Sequence, residues 1–496
     1  MTGLTHTIRT LGTASAVVSL AMAAPPIAFA GGPPINFAPN TAYAAGSAPR
    51  SVALGDVNRD GIPDLITADY GANTVSVLLG HGDGTFAART DFATGAYPST
   101  VVLGDVNKDS KPDLITADYG ANAVSVLLGN GNGTFVATTD FGTGVNPYSV
   151  ALGDIDKDGN LDIVTANYGD STVSVLSGNG DGTFTGPIGH PTSSNSLSAV
   201  IGDVNRDGNP DIVTADTNTN TASVLIGSGS GDFGSPIAYS TGAGPYEAAL
   251  GDLNSDGTPD IVTANVDGAA ASVLLGNGDG TFTEHVDYAT GALADAVSLG
   301  DVNNDGKLDV VTANYGLGAT SVLLGNGDGT LAAKADYATG EGPASVALGD
   351  VNADRKPDIV TADDVASTAS VLLNTTAMAL SFTGDTLHLT PPPASTVGTV
   401  NSYVLHYNTE ARAGANKPWG IWATGWPAGK LGIDLAANQT VAGCLISGAT
   451  ICTRLPVIGE QTSGTTRVYR LYANVTPPGG GTQYWTPLTS LTVTRP

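Results

Sequence analysis

From residue 51 to residue 373 the chain is a succession of short apolar runs separated by clusters of glycine, aspartate, asparagine and threonine. In the first complete unit, residues 51–57 (SVALGDV) predict a strand that runs into a polar loop over residues 56–64. Residues 65–68 (LITA) predict a second, β-branched strand, stopped by the turn cluster DYGAN at 69–73. Residues 75–79 predict a third strand, whose weak alternation suits a strand covered on both faces. After the turn GHGDGT, residues 86–94 predict a fourth. Apolar positions nowhere keep a 3.6-residue spacing and glycine interrupts every run, so helices are not expected.

This unit recurs seven times. The first aspartates of the polar loops are Asp56, Asp105, Asp154, Asp203, Asp252, Asp301 and Asp350, each 49 residues from the next. Four short strands in such a period match one blade of a β-propeller, although the pattern alone leaves a β-solenoid open as the lesser alternative. The ends of the array favour a ring. The seventh copy stops after its third strand, at SVLLN (370–374), and lacks both the glycine-rich turn and a fourth strand. The missing strand matches residues 37–46, which lie one period before residues 86–95 and agree with them in register. An N-terminal strand that completes the last blade leaves no open sheet edge, which a solenoid would not require. The expected fold is therefore all-β: a seven-bladed β-propeller over residues 31–376. An aromatic column runs through the fourth strands at Tyr43, Phe92, Phe141, Tyr239, Tyr288 and Tyr337, with His190 in the remaining place. His190 reads as a packing substitute, and His81, in the slot held by Asn130 and Asn179, reads as a turn residue.

The polar loop carries the chemistry. With Asp56 as position one, Asp56, Asn58, Asp60 and Asp64 occupy positions one, three, five and nine, and Gly61 occupies position six. Side chains at alternate positions of a tight loop converge, the glycine permits the bend, and the carbonyl of Ile62 at position seven adds an oxygen. The other loops place the same set at Asp105, Asn107, Asp109, Lys111 and Asp113, and at Asp154, Asp156, Asp158, Asn160 and Asp162. It continues at Asp203, Asn205, Asp207, Asn209 and Asp211, and at Asp252, Asn254, Asp256, Thr258 and Asp260. The last two sets are Asp301, Asn303, Asp305, Lys307 and Asp309, then Asp350, Asn352, Asp354, Lys356 and Asp358. An all-oxygen, carboxylate-rich set suits Ca²⁺, with Mg²⁺ second because it holds its water and a stricter octahedron. Zinc is disfavoured without histidine or cysteine. Asx turns without metal are the plain alternative. Ser110 and Arg355 stand where the glycine belongs, so these two loops are expected to bind more weakly.

Composition sharpens this reading. Only 13% of residues are charged, yet the net charge is −27. Three acids in each of seven loops, with Asp156 as one more, account for 22 of the 46 acidic residues. Such a chain attracts divalent cations and excludes binding to nucleic acid or anionic membranes through charge. At the N-terminus, Arg9, the apolar run LGTASAVVSLAMAA and the sequence Ala28-Phe29-Ala30 predict a secretory signal over residues 1–30, with cleavage near Ala30. A buried N-terminal helix fits less well, because Pro25 and Pro26 end the run. No later segment reaches the ~18 to 20 apolar residues of a membrane span, so no membrane insertion is expected. The mature protein is expected in a secreted, extracellular or periplasmic setting. Cys444 and Cys452, in CLISGATIC, suit a hairpin disulfide better than a metal site, since no histidine is near them.

The copies resemble FG-GAP/VCBS repeats, the units of the integrin α-chain propeller and of many exported bacterial proteins. The resemblance covers residues 31–376 and rests on the DxNxDGxxD loop and the GNGDGTF turn. It implies a seven-bladed propeller with calcium between first and second strands, bound at positions one, three, five, seven and nine. Similar propellers serve as adhesion heads, fungal lectins and appendages of polysaccharide-degrading enzymes.

Strand alternation puts the acidic loop and the glycine-rich turn on one face, and the DYGAN turn and the TGAYP connection (94–98) on the other. On that second face Tyr70, Tyr119, Tyr168 and Tyr315 follow Asp69, Asp118, Asn167 and Asn314. These pairs suit a glycan or a surface protein, or simply a hairpin closed by an Asx residue under a tyrosine. Residues 377–496 break the period and hold all four tryptophans, at 419, 422, 426 and 485. Their alternating segments predict a small β-sandwich-like domain, in which WGIWATGW is either packing or a carbohydrate platform. No nucleophile–base set recurs, and an active site would not repeat sevenfold. A binding or adhesion module is expected, ahead of an accessory carbohydrate module and of an enzyme.

Overall fold

The computed structural model describes residues 35–376 fully and, between 380 and 494, the backbone of separate strands. No helix occurs among the described residues, and none long and apolar enough to cross a membrane. The proposed signal segment lies outside the described residues. So do the side chains of Cys444 and Cys452 and of the four tryptophans. Within the tail, strands Gly420–Pro427, Thr399–Thr409, Thr466–Thr476 and Tyr484–Thr494 pair in that order in one sheet.

Residues 35–376 form seven four-stranded antiparallel sheets, the blades of a propeller. The first blade contains Pro49–Gly55, Asp64–Asp69, Thr74–Leu78 and Thr90–Ala93. The polar loop thus begins one residue after the first strand, and Asp64 opens the second. Phe86 makes only a single bridge to Gly80 before the short fourth strand. The seventh blade contains Pro343–Gly349, Asp358–Asp363 and Thr368–Leu372, and Thr41–Ala44 supplies its outer strand. Thr41 pairs with Val371, and Phe37 bridges Asn374. First strands of neighbouring blades lie side by side around the centre, and Pro343–Gly349 meets Pro49–Gly55 to close the ring.

The core lies in the seams between blades. Val57, Ile66, Ala68, Val75 and Val77 of the first blade pack on Val101, Leu114, Leu127 and Phe135 of the second. At the closure, Val351, Val360, Ala362 and Val371 pack on Val52, Leu65, Leu78 and Phe86. A second strand such as DLITAD is buried throughout, because each of its faces serves a different seam. The aromatic column crosses these seams edge to face: Phe92 meets Phe135 at 5.2 Å, and Tyr43 meets Phe86 at 5.4 Å across the closure. His190 takes the same place against Phe233 at 5.1 Å, where burial lowers its pKa. It acts there as a packing residue.

Candidate functional site

The seven acidic loops share one face with the glycine-rich turns. Gly84 N–H donates to the carbonyl of Val351, so the turn of one blade caps the acidic loop of the blade before it. The repeats Gly133 to Val57 and Gly182 to Val106 do the same. Each loop is bent by left-handed residues at positions four and six, such as Arg59 (φ 63°) and Gly61 (φ 84°). Ser110 and Arg355 adopt this conformation too, at φ 63° and 61°, so the side chain is carried at a backbone cost.

Asp56 accepts Asp60 N–H at 3.0 Å and Gly61 N–H at 2.8 Å. Asn58 Oδ1 accepts Asp60 N–H, and Asp60 Oδ1 accepts the N–H of Ile62. Asp64 is fully buried, with its two oxygens on Val57 N–H (2.9 Å) and Gly80 N–H (2.8 Å). The same two bonds recur at Asp113, Asp162, Asp211, Asp260, Asp309 and Asp358. Position nine is therefore a buried splice between loop and sheet before it is anything else. Burial raises these carboxyls against the pull of their N–H donors, to about 6 at Asp113 and about 7 at Asp309 and Asp358.

The loops are not equivalent. Asp154, Asp156 and Asp162 bring carboxylate oxygens within 4.8 Å of one another, the one such group of three acids among the described residues. In the other six loops the position-one Oδ1 accepts the position-five N–H. Asp154 Oδ1 is instead buried with no partner, while Asp158 N–H goes to Asp156. A buried carboxylate oxygen left unpaired beside two more acids fits a divalent cation. Two loops bring their own cation: Lys111 Nζ lies 2.7 Å from Asp109, and Lys356 Nζ lies 3.3 Å from Asp354. These are the loops that lack the glycine. Position seven is occupied by Ile62, Lys111, Asn160, Asn209, Thr258, Lys307 and Lys356, and each donates its N–H to the carboxylate at position five.

On the opposite face the plain reading of the Asx–tyrosine pairs is the one that fits the Asx residues. The Asx residues before the tyrosines do not point outward; they are buried and spent. Asp69 accepts Thr67 Oγ1, Ser76 Oγ and Gly46 N–H, and Asp118, Asn167 and Asn314 make the corresponding Thr and Ser bonds. Only the tyrosines are left to face a ligand. What lies beside them comes from the innermost strands. Each carries a bulge that skips one residue of the pairing, between Pro49 and Ser51 in the first blade and at the same place in the others. A bulge re-aims its extra side chain, here at the centre of the ring. The skipped residues are Arg50, Ser99, Tyr148, Leu197, Tyr246, Asp295 and Ala344, one period apart and of six different types. Arg50 pairs with Asp364 at 3.1 Å and stands over the Tyr70 ring at 5.4 Å. Tyr148 and Tyr246 join hydroxyl to hydroxyl at 2.5 Å. Asp295 is buried, which lifts its pKa to about 7 despite Arg50.

The FG-GAP-like repeat model matches the sequence six times, at residues 56–116, 105–165, 156–214, 203–263, 252–312 and 301–361. The chain belongs to the FG-GAP-like repeat family. No curated protein matches it. Among solved structures, this FG-GAP-like propeller is similar to BBS1N from its complex with ARL6DN, with 10% identity, a TM-score of 0.50, and 69% of this chain and 98% of that one covered. It is also similar to a protein from Lactobacillus plantarum, at 16% identity and a TM-score of 0.48, over 61% and 88% of the two chains. A lectin of Agrocybe aegerita that recognises non-reducing terminal N-acetylglucosamine aligns at 21% identity and a TM-score of 0.40, over 57% and 79%. Likeness at these identities concerns the fold of the FG-GAP-like propeller and not its ligand.

Proposed function

We propose that this FG-GAP-like propeller is an exported recognition module, braced by calcium on one face and free to bind a partner through the other. The observation that carries the calcium part is the third loop, where Asp154 Oδ1 is buried and unpaired beside Asp156 and Asp162. Positions one, three, five and nine of each loop would hold the ion. The ion supplies positive charge among 22 acids and joins the loop to the sheet through the position-nine carboxylate. Affinity on the order of 10⁻⁴ to 10⁻³ M suits an extracellular setting. The loops with Lys111 and Lys356 are the weakest, since an ammonium already neutralises position five. Recognition rather than catalysis follows from acids that repeat sevenfold as scaffold, and export from the N-terminal signal pattern. A carbohydrate is the second reading of the partner, favoured by the tyrosines on the free face.

The test is a thermal melt of the protein in millimolar calcium, in EGTA and in magnesium. At ten times the dissociation constant each site adds about 1.4 kcal/mol, so several sites together raise Tm by on the order of 10 °C. Equal melts in calcium and EGTA would return the loops to plain Asx turns.

A further inference from the structure

The centre of the face away from the acidic loops holds a cavity of about 390 Å³. This is within the range of small-molecule sites. Its wall is uneven in a way that defines a ligand. On one side lies an arc of rings: Tyr70 is 6.4 Å from Tyr119, Tyr119 is 6.2 Å from Tyr148, and Tyr148 is 5.5 Å from Tyr246. At the Tyr70 end of this arc stands Arg50, with the buried Asp295 also in its field and held towards its neutral form by burial. Arg50 is matched by Asp364, whose Oδ2 also accepts the Tyr315 hydroxyl at 3.2 Å. A ligand of either sign would bring an unmatched charge into a partly desolvated site.

Two donors are nevertheless unspent. Arg50 Nε is buried without a partner. The Tyr148–Tyr246 pair shares one proton, so one of the two hydroxyls still has its own to give. The cavity thus offers the rings of Tyr119 and Tyr168, free donors and an arginine whose charge is already met. That combination selects an uncharged molecule with an apolar face and several hydroxyls. We propose that the mouth of the central channel binds the terminal residue of a neutral glycan, with a pyranose ring against the tyrosine arc and hydroxyls towards Arg50 and the tyrosine pair. This rests on the recognition reading above and adds its place and ligand class.

The test is calorimetric titration of the full chain in calcium with neutral manno-, gluco- and chito-oligosaccharides, and with oligogalacturonate as the charged comparison. Saturable binding of a neutral oligosaccharide is expected. It should weaken at least tenfold in Tyr119→Ala and Tyr168→Ala, and stay unchanged in Ile188→Ala, at an exposed position on an outer strand. Melts of all three variants should match the parent, which separates lost binding from lost folding. No saturable binding, equal binding by the tyrosine variants, or tighter binding of oligogalacturonate overturns the proposal. A chain that melts higher in calcium yet binds no sugar loses this inference and keeps the calcium reading. Sugar binding through the tyrosines with no calcium effect on the melt does the reverse.

Discussion

The two faces of the propeller are built from the same repeat and use it in opposite ways. On the acidic face, seven loops keep the same oxygen-bearing positions, the same left-handed bend and the same buried splice at position nine. On the other face the columns diverge: the bulge position runs through arginine, serine, tyrosine, leucine, aspartate and alanine. Agreement among copies marks what every blade needs in order to fold and to join its neighbour. Disagreement at a position aimed at the common axis marks a surface that the blades do not need in common, and it is there that the proposed ligand is placed. Sevenfold repetition is therefore poor grounds for catalysis and good grounds for scaffold.

The contrast can be broken most forcefully at position nine. Asp211→Ala removes the acceptor for Val204 N–H and Gly227 N–H, both buried, and should cost about 4 kcal/mol. Denaturant unfolding in EGTA checks it: the loss should persist without calcium, because it arises in the backbone splice.

A second, smaller effect lies at the opposite end of the same kind of strand. In the second blade one hydroxyl proton, that of Ser125, faces both Asp118 Oδ2 at 2.6 Å and Asp140 Oδ1 at 2.9 Å. In the fifth blade Asn265 resolves the conflict by donating to Ser272, which then donates to Asp287. Burial, with Asp140 adding, raises Asp118 to about 6 from 3.8. A raised carboxyl costs stability when ionised: the penalty is full above pH 6, shrinks as pH falls through 6, and is gone below 4. Asp118→Asn should thus stabilise by about 3 kcal/mol at pH 7.5 and by little at pH 4. Paired unfolding curves across that range decide it; a gain that ignores pH would remove the charge from the explanation.

Next in size, Arg355→Gly should relieve a left-handed residue and add about 1 kcal/mol, read as a shift in urea midpoint at constant slope. Smallest of all, Tyr168→Ala at the channel mouth should change stability by less than about 0.5 kcal/mol. A large loss in its melt would make that column scaffold after all and dissolve the distinction between the faces.

Much of this was legible in sequence because it is local. The strands of a blade, its turns and its acidic loop depend on residues within a few positions of one another, and the truncated seventh copy announces where the chain closes. Asp64 as a position of the acidic loop is equally plain, but its service to Val57 and Gly80 is not, since Gly80 lies 16 residues on across a sheet. The Asx–tyrosine pairs left a ligand site and a closed hairpin both open for the same reason: only strand packing turns Asp69 inward onto Thr67 and Ser76.

By itself the sequence determined the blade, the number of blades, the closure strand and the seven acidic loops, all consequences of a 49-residue period whose signals are short-range. Tertiary structure alone decided which member of each period faces the axis. Arg50, Tyr148 and Tyr246 are ordinary strand residues until a bulge re-aims each one and ring closure brings positions 98 residues apart to hydrogen-bond distance. That meeting depends on the summed rotation from blade to blade, which no single repeat contains.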